Sequence, residues 1–143
     1  MDISASALTA QRMRMDVIAE NMANSQTTRT ATGEPYRRRY VVFQQREDVR
    51  SFASYMNDIG EAGAKVMGNG VRVSEVGEDQ SPFLLDYNPT HPDADENGYV
   101  EMPNVDRVRE MVDMMSATRS YQANITAINA FKDMALKALE IGR

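Results

Sequence analysis

The chain has 143 residues, 42% hydrophobic and 26% charged, with a net charge of -5 and a pI near 4.9. That length holds one domain with a modest core, and the acidic balance, concentrated between Arg72 and Glu101, argues against nucleic acid as a partner. The absence of cysteine removes disulfides, thiolate chemistry and thiolate metal sites.

The opening MDISASALTAQRMRMDVIAE places Arg12, Arg14 and Asp16 where a cleavable signal peptide needs an unbroken apolar run. No apolar run of about 18 residues follows anywhere, so a membrane span is not expected. Residues 4–24 contain neither Gly nor Pro and predict a helix, with Leu8, Met15, Ile18 and Met22 gathered on one side. Val17 is expected on the opposite face, and Ala5, Ala7, Ala10 and Ala19 are small enough to let a neighbour approach closely. Alone in water a helix of about 20 residues is marginal, so it needs a partner.

Residues 25–34, SQTTRTATGE, form a polar connector expected to act as a hinge. Extended runs follow at 36–45, 67–76 and 82–87, rich in Val, Tyr and Phe. They predict one small antiparallel sheet, with Gly60, Gly63, Gly68, Gly70 and Gly77 at turns or bulges. Such a middle module folds locally, but it is too small to bury both faces and is expected to lean on a helix or a neighbouring subunit. Residues 47–59 fit either a short helix carrying Val49, Phe52, Tyr55, Met56 and Ile59 or a surface excursion. The basic run Arg37, Arg38, Arg39 reads as a charged register beside a strand rather than as a phosphate site.

A second long helix is predicted from Asn104, which can cap free N–H groups, with Asp106 in the field of the first turn. No Gly or Pro follows until Gly142, so about 37 residues would span roughly 55 Å. Val108, Met111, Met115, Thr118, Ile125 and Ile128 recur along it at helical spacing. The expected fold is α+β: an N-terminal assembly helix and connector (1–30), a β-rich middle (31–103) and a C-terminal assembly helix (104–143). The two helices pack either on each other or on copies and related chains.

Motifs for chemistry are poor. DADENGYVEMPN, from Asp93, has carboxylates, Asn97 and Gly98 at the spacing of a calcium loop, but Asn104 stands where the closing Glu is needed, and Pro92 and Pro103 flank it. It reads as an acidic turn on Asn97 and Gly98. His91, the sole histidine, reads as a buttress of a proline-rich turn. No nucleophile elbow, phosphate loop or metalloprotease helix is present, so no enzyme, cofactor or metal is expected. Asn21, Asn24, Gln26, Gln122, Asn124 and Asn129 accompany the apolar stripes. Amides buried in helical packing can fix register, although each is expected on the wet face. Arg12, Arg14, Arg107, Arg109 and Arg119 could pair with acids of other subunits.

ALTAQRMRMDVIAENMANSQTT, from Ala7, resembles the N-terminal signature of the bacterial flagellar axial proteins, and PNVDRVREMVDMMSATRSYQANITAINAF, from Pro103, resembles their C-terminal one. PYRRRYVVF and NPTHPDADENGYVEMPNV resemble the small proximal-rod branch of that family. The resemblance implies export through the flagellar type III apparatus without cleavage. It also implies assembly into the helical shaft that crosses the periplasm and carries torque. Expected partners are copies of the chain, other rod proteins, and membrane-ring or adaptor proteins at the base. The terminal helices would pair as a coiled-coil-like core, with Leu8, Met15, Ile18, Met22, Val108, Met111, Met115, Ile125, Ile128 and Phe131 as its packing residues.

Overall fold

The computed structural model describes residues 2–46 and 70–141. The elements are α1 (Asp2–Ala23), β1 (Arg39–Gln45), β2 (Val71–Glu78), β3 (Leu84–Tyr87), β4 (Tyr99–Met102) and α2 (Arg107–Ile141). The alternatives for residues 47–59, and the turn roles of Gly60, Gly63 and Gly68, lie outside the described residues.

α1 and the first part of α2 run antiparallel. Arg14 Nη2 meets Asp113 Oδ1 at 3.1 Å, the Thr118 hydroxyl lies 3.7 Å from Met15 Sδ, and Asn21 Nδ2 lies 3.0 Å from Glu110 Oε2. Ala10 on α1 and Ala117 on α2 are buried, the small side chains permitting close packing. At about 1.5 Å per residue, α2 is about 52 Å long and α1 about 33 Å, so α2 overhangs its partner. From residue 129 to residue 140 every side chain of α2 is exposed.

The middle forms two separate two-stranded antiparallel sheets, β1 with β2 and β3 with β4, rather than one. β4 was not among the expected strands. It pairs Leu84 with Met102 and Tyr87 with Tyr99, closing a hairpin across the segment that reads in sequence as a calcium-like turn. In the β1–β2 pair, a bulge shifts the register between Val42 and Phe43, and the Ser74 hydroxyl donates to the Val42 carbonyl there.

Nor does this hairpin fold apart from the helices. Ser6, Ala10 and Met13 line a groove with Val71 and Val73, while Val17 lines another with Val41 and Phe43. Val17 is therefore covered by the sheet rather than by solvent, and α1 is sandwiched between β1–β2 and α2. Gly70 makes the closest approach. Its φ is +92°, the Ser6 hydroxyl accepts from Val71 N beside it, and a Cβ at this position would collide with Ser6 Oγ.

The start of α2 is closed by a side chain, though it begins later than Asn104. Asp106 is its cap, with Oδ1 accepting from Val108 N at 2.9 Å and Arg109 N at 3.3 Å. Asn104 instead accepts from Arg38 N and donates to the carbonyls of Asp79 and Ser81, a tie between β1, the stretch after β2 and the entry to α2. The connector expected to hinge is closed by its own bonds: Tyr36 N donates to the Thr27 carbonyl, and Thr30 N and Oγ1 both donate to the Glu34 carbonyl.

Candidate assembly surfaces and the buried polar junction

α1, β1 and α2 meet at a polar knot. Asn21 is fully buried on the last turns of α1. Its Nδ2 donates to the Arg39 carbonyl at 2.8 Å and to Glu110 Oε2 at 3.0 Å, while its Oδ1 accepts from the Tyr36 hydroxyl at 3.0 Å and Arg39 N at 2.9 Å. Both donors and both lone pairs of the amide are used. Glu110, also fully buried, spends its other oxygen on Arg38 Nε at 2.7 Å. A lone buried carboxylate would be costly, and this ion pair with the Asn21 bond offsets that cost. The Arg38 guanidinium also lies 3.9 Å from Asp79 and 3.8 Å from Asp113.

The three arginines of the basic run thus have separate tasks. Arg37 lies over the Phe83 ring at 4.3 Å, Arg38 enters the knot, and Arg39 pairs with Glu20 at 2.8 Å and Glu78 at 3.5 Å. Burial, followed by the negative field of Glu20, pushes the Tyr36 hydroxyl up to about 12. Just outside the knot, the Ser81 hydroxyl and N–H donate to Asp79 and hold its carboxyl below the ordinary 3.8.

Asn21 thereby departs from the expectation that each amide lies on the wet face. Asn24 stays local, donating to the Glu20 carbonyl at the helix end, and Asn124 does the same to Ser120. Gln26, Gln122 and Asn129 are exposed. Sequence reasoning missed Tyr36 and Glu110 as members of the knot. Their only signal was position, since Glu110 falls on the same face of α2 as Ala117.

The ten expected packing residues divide by exposure. Ile18 is buried, and Leu8, Met15, Met22 and Ile128 are half-buried. Val108, Met111, Met115, Ile125 and Phe131 are exposed, Val108 at 73% and Met111 at 53%. Val112, Met134, Leu136 and Leu139 extend the exposed apolar set. Residues 110, 114, 117, 121, 124 and 128 follow the helical repeat toward α1, while 108, 111, 112 and 115 lie about half a turn away. α2 therefore carries a second apolar face that nothing among the described residues covers.

The calcium-like segment works as a fastener. Asp93 accepts from the Thr28 hydroxyl at 2.9 Å and lies 3.8 Å from Arg29, and His91 Nδ1 accepts from Asp93 N at 3.2 Å. Asp95 and Gly98 close the turn, with Gly98 at φ +81°. Among the described residues, no group of three or more acidic or imidazole side chains could hold a metal ion. Also among them, no helix is long and apolar enough to cross a membrane.

Two terminal helices packed on each other and joined through a small β middle, the second with an exposed apolar face and a bare overhang, make an α+β subunit with a surface for assembly. The family of flagella basal body rod proteins matches residues 1–29, and that of the FlgEFG basal-body rod C-terminal region matches residues 96–141. Over essentially its whole length the chain is similar to flagellar basal-body rod proteins FlgC. It is 54% identical to that of Bacillus subtilis (100% of this chain, 96% of the relative). It is 45% identical to that of Borreliella burgdorferi (99% and 94%) and 46% to that of Salmonella typhimurium (99% and 95%). The chain belongs to the FlgC family of flagellar basal-body rod proteins. It is a structural subunit of the flagellar basal-body rod.

Proposed function

We propose that the chain builds the proximal rod through the two faces of α2. One face closes against α1 within the subunit, and the other meets neighbouring subunits in a helical array that transmits torque across the periplasm. The observation that carries this reading is the exposed set Val108, Met111, Val112 and Met115, together with the bare overhang from residue 129 to residue 140, which holds Phe131. An apolar face of this extent on a monomer marks an interaction surface. Copies of the chain and other rod proteins are its occupants, with ring or adaptor proteins at the base. The family resemblance supports delivery by the flagellar export apparatus without cleavage. Leu8, Met15, Ile18, Met22 and Ile128 then serve the subunit's own fold.

Replacing Met111 and Met115 together by Asp tests the division. The double variant is expected to keep its circular dichroism and to be lost from isolated basal bodies, whereas Ile18→Asp is expected to unfold the chain. Incorporation of the Met111 and Met115 variant at wild-type levels would remove the outer face from the interface.

A further inference from the structure

The outer face of α2 and the β3–β4 hairpin carry opposite charges on matching apolar surfaces. Between residues 107 and 131 the only acids of α2 are Glu110 and Asp113. Both are committed inside the subunit, Glu110 to Asn21 and Arg38, and Asp113 to Arg14. Arg107, Arg109 and Arg119 are exposed and form no ion pair among the described residues. The stretch that presents Val108, Met111, Val112 and Met115 is therefore purely basic.

The hairpin is its complement. Strand alternation and the pairing of Leu85 with Glu101 and Tyr87 with Tyr99 put these four residues on one face. Leu85 is 65% exposed and Tyr87 64%, and the Tyr87 and Tyr99 rings meet edge to face at 5.3 Å. Glu101 is exposed on that face, and Asp95 and Glu96 in the turn before β4 are exposed beside it, whereas Asp86, paired with Val100, lies on the opposite face. Among the described residues β3 has no strand neighbour but β4; the hairpin rests on the subunit through buried Val100 and the Asp93 turn and presents Leu85, Tyr87 and Tyr99 outward. Within the chain α2 does not pack on β3 or β4, so neither patch satisfies the other in cis.

We propose that the β3–β4 hairpin of one copy docks on the outer face of α2 in the next. Leu85, Tyr87 and Tyr99 lie on Val108, Met111 and Met115, and the hairpin acids face Arg107 and Arg119. Because two different patches meet, the contact is head-to-tail and propagates as an open array instead of closing after two copies. Charge matching selects this register and disfavours hairpin against hairpin and helix against helix. The inference rests on the rod reading given above and names the partner of the α2 face.

The test is a charge swap in cells expressing the full chain. One variant carries Glu96→Arg and Glu101→Arg, a second carries Arg107→Glu and Arg119→Glu, and a third carries all four. All altered side chains are exposed, and circular dichroism of the purified chains checks their folding. The readout is the amount of chain in isolated basal bodies relative to the amount exported. Each two-residue variant is expected to fall about tenfold or more, because like charges then face each other, and the four-residue variant is expected to recover to within about twofold of wild type. Wild-type incorporation by either two-residue variant, or failure of the four-residue chain to recover while folded and exported, would overturn the pairing. Absence of the unaltered chain from basal bodies would instead remove the rod reading itself.

Discussion

Asn21→Leu probes the knot, because Leu keeps the four side-chain heavy atoms and γ-branch of Asn and suits a helix, so the change removes the amide's polarity and adds only the bulk of two methyl groups. The substitution removes four hydrogen bonds. It leaves Glu110 Oε2, the Tyr36 hydroxyl and the Arg39 N–H and carbonyl short of partners. A neutral bond contributes about 1 kcal/mol net, a bond to a charged group about 1.5–3, and an orphaned buried group costs about 1–3. Glu110 is fully buried, whereas Arg39 is half-buried as a residue. The loss should thus be about 3–5 kcal/mol, a large part of the stability of a domain this size. Urea unfolding of the purified chain, followed by circular dichroism, reads this directly. With a slope of about 2 kcal/mol/M, the midpoint falls by about 2 M. Gln26→Ala, on an exposed amide, should stay within about 0.5 kcal/mol of wild type. A midpoint for Asn21→Leu as close to wild type as that of Gln26→Ala would refute the reasoning. So would a wild-type chain with no cooperative transition, since the knot would then not form in the single subunit.

Three further outcomes follow from the same geometry. Arg38→Met or Glu110→Met alone should each cost about 3–5 kcal/mol in urea unfolding, and the double variant should recover much of it, because only the single changes strand a buried charge. Tyr36 ionises more readily unfolded than folded, so its contribution is fully present below pH 10 and is lost as pH rises toward about 12. Stability measured across that window should fall less steeply in Tyr36→Phe. At Gly70, with φ +92° and the Ser6 hydroxyl in the way, Ala should cost more than at Gly77, where the added Cβ meets the exposed ring of Tyr40, which can turn aside. Thermal midpoints of the two variants decide the order.

Much of the architecture is legible in the sequence because it rests on local signals. α1 and α2 lack Gly and Pro and repeat their apolar residues at helical spacing, while β1 and β2 concentrate Val, Tyr and Phe. What escapes reading depends on distant partners. Asn104 has the chemistry of a helix cap but is taken by Arg38, Asp79 and Ser81, so Asp106 caps instead. β4 is four residues long and emerges from a run of Asp, Glu, Asn and Gly that signals a turn. The knot joins residues 89 apart in sequence, and nothing local separates a buried Asn21 from a solvated one. The apolar stripe of α2 was hardest to divide, because residues facing α1 and residues facing outward both recur at helical spacing.

A side-chain-resolved electron cryomicroscopy map of isolated basal bodies tests the central claim most directly. The account predicts this chain in the rod, with α1 and α2 antiparallel, Asn21 beside Glu110, and Val108, Met111 and Met115 covered by a neighbouring subunit. Density in which those three side chains face solvent, or in which α1 and α2 separate, would contradict it.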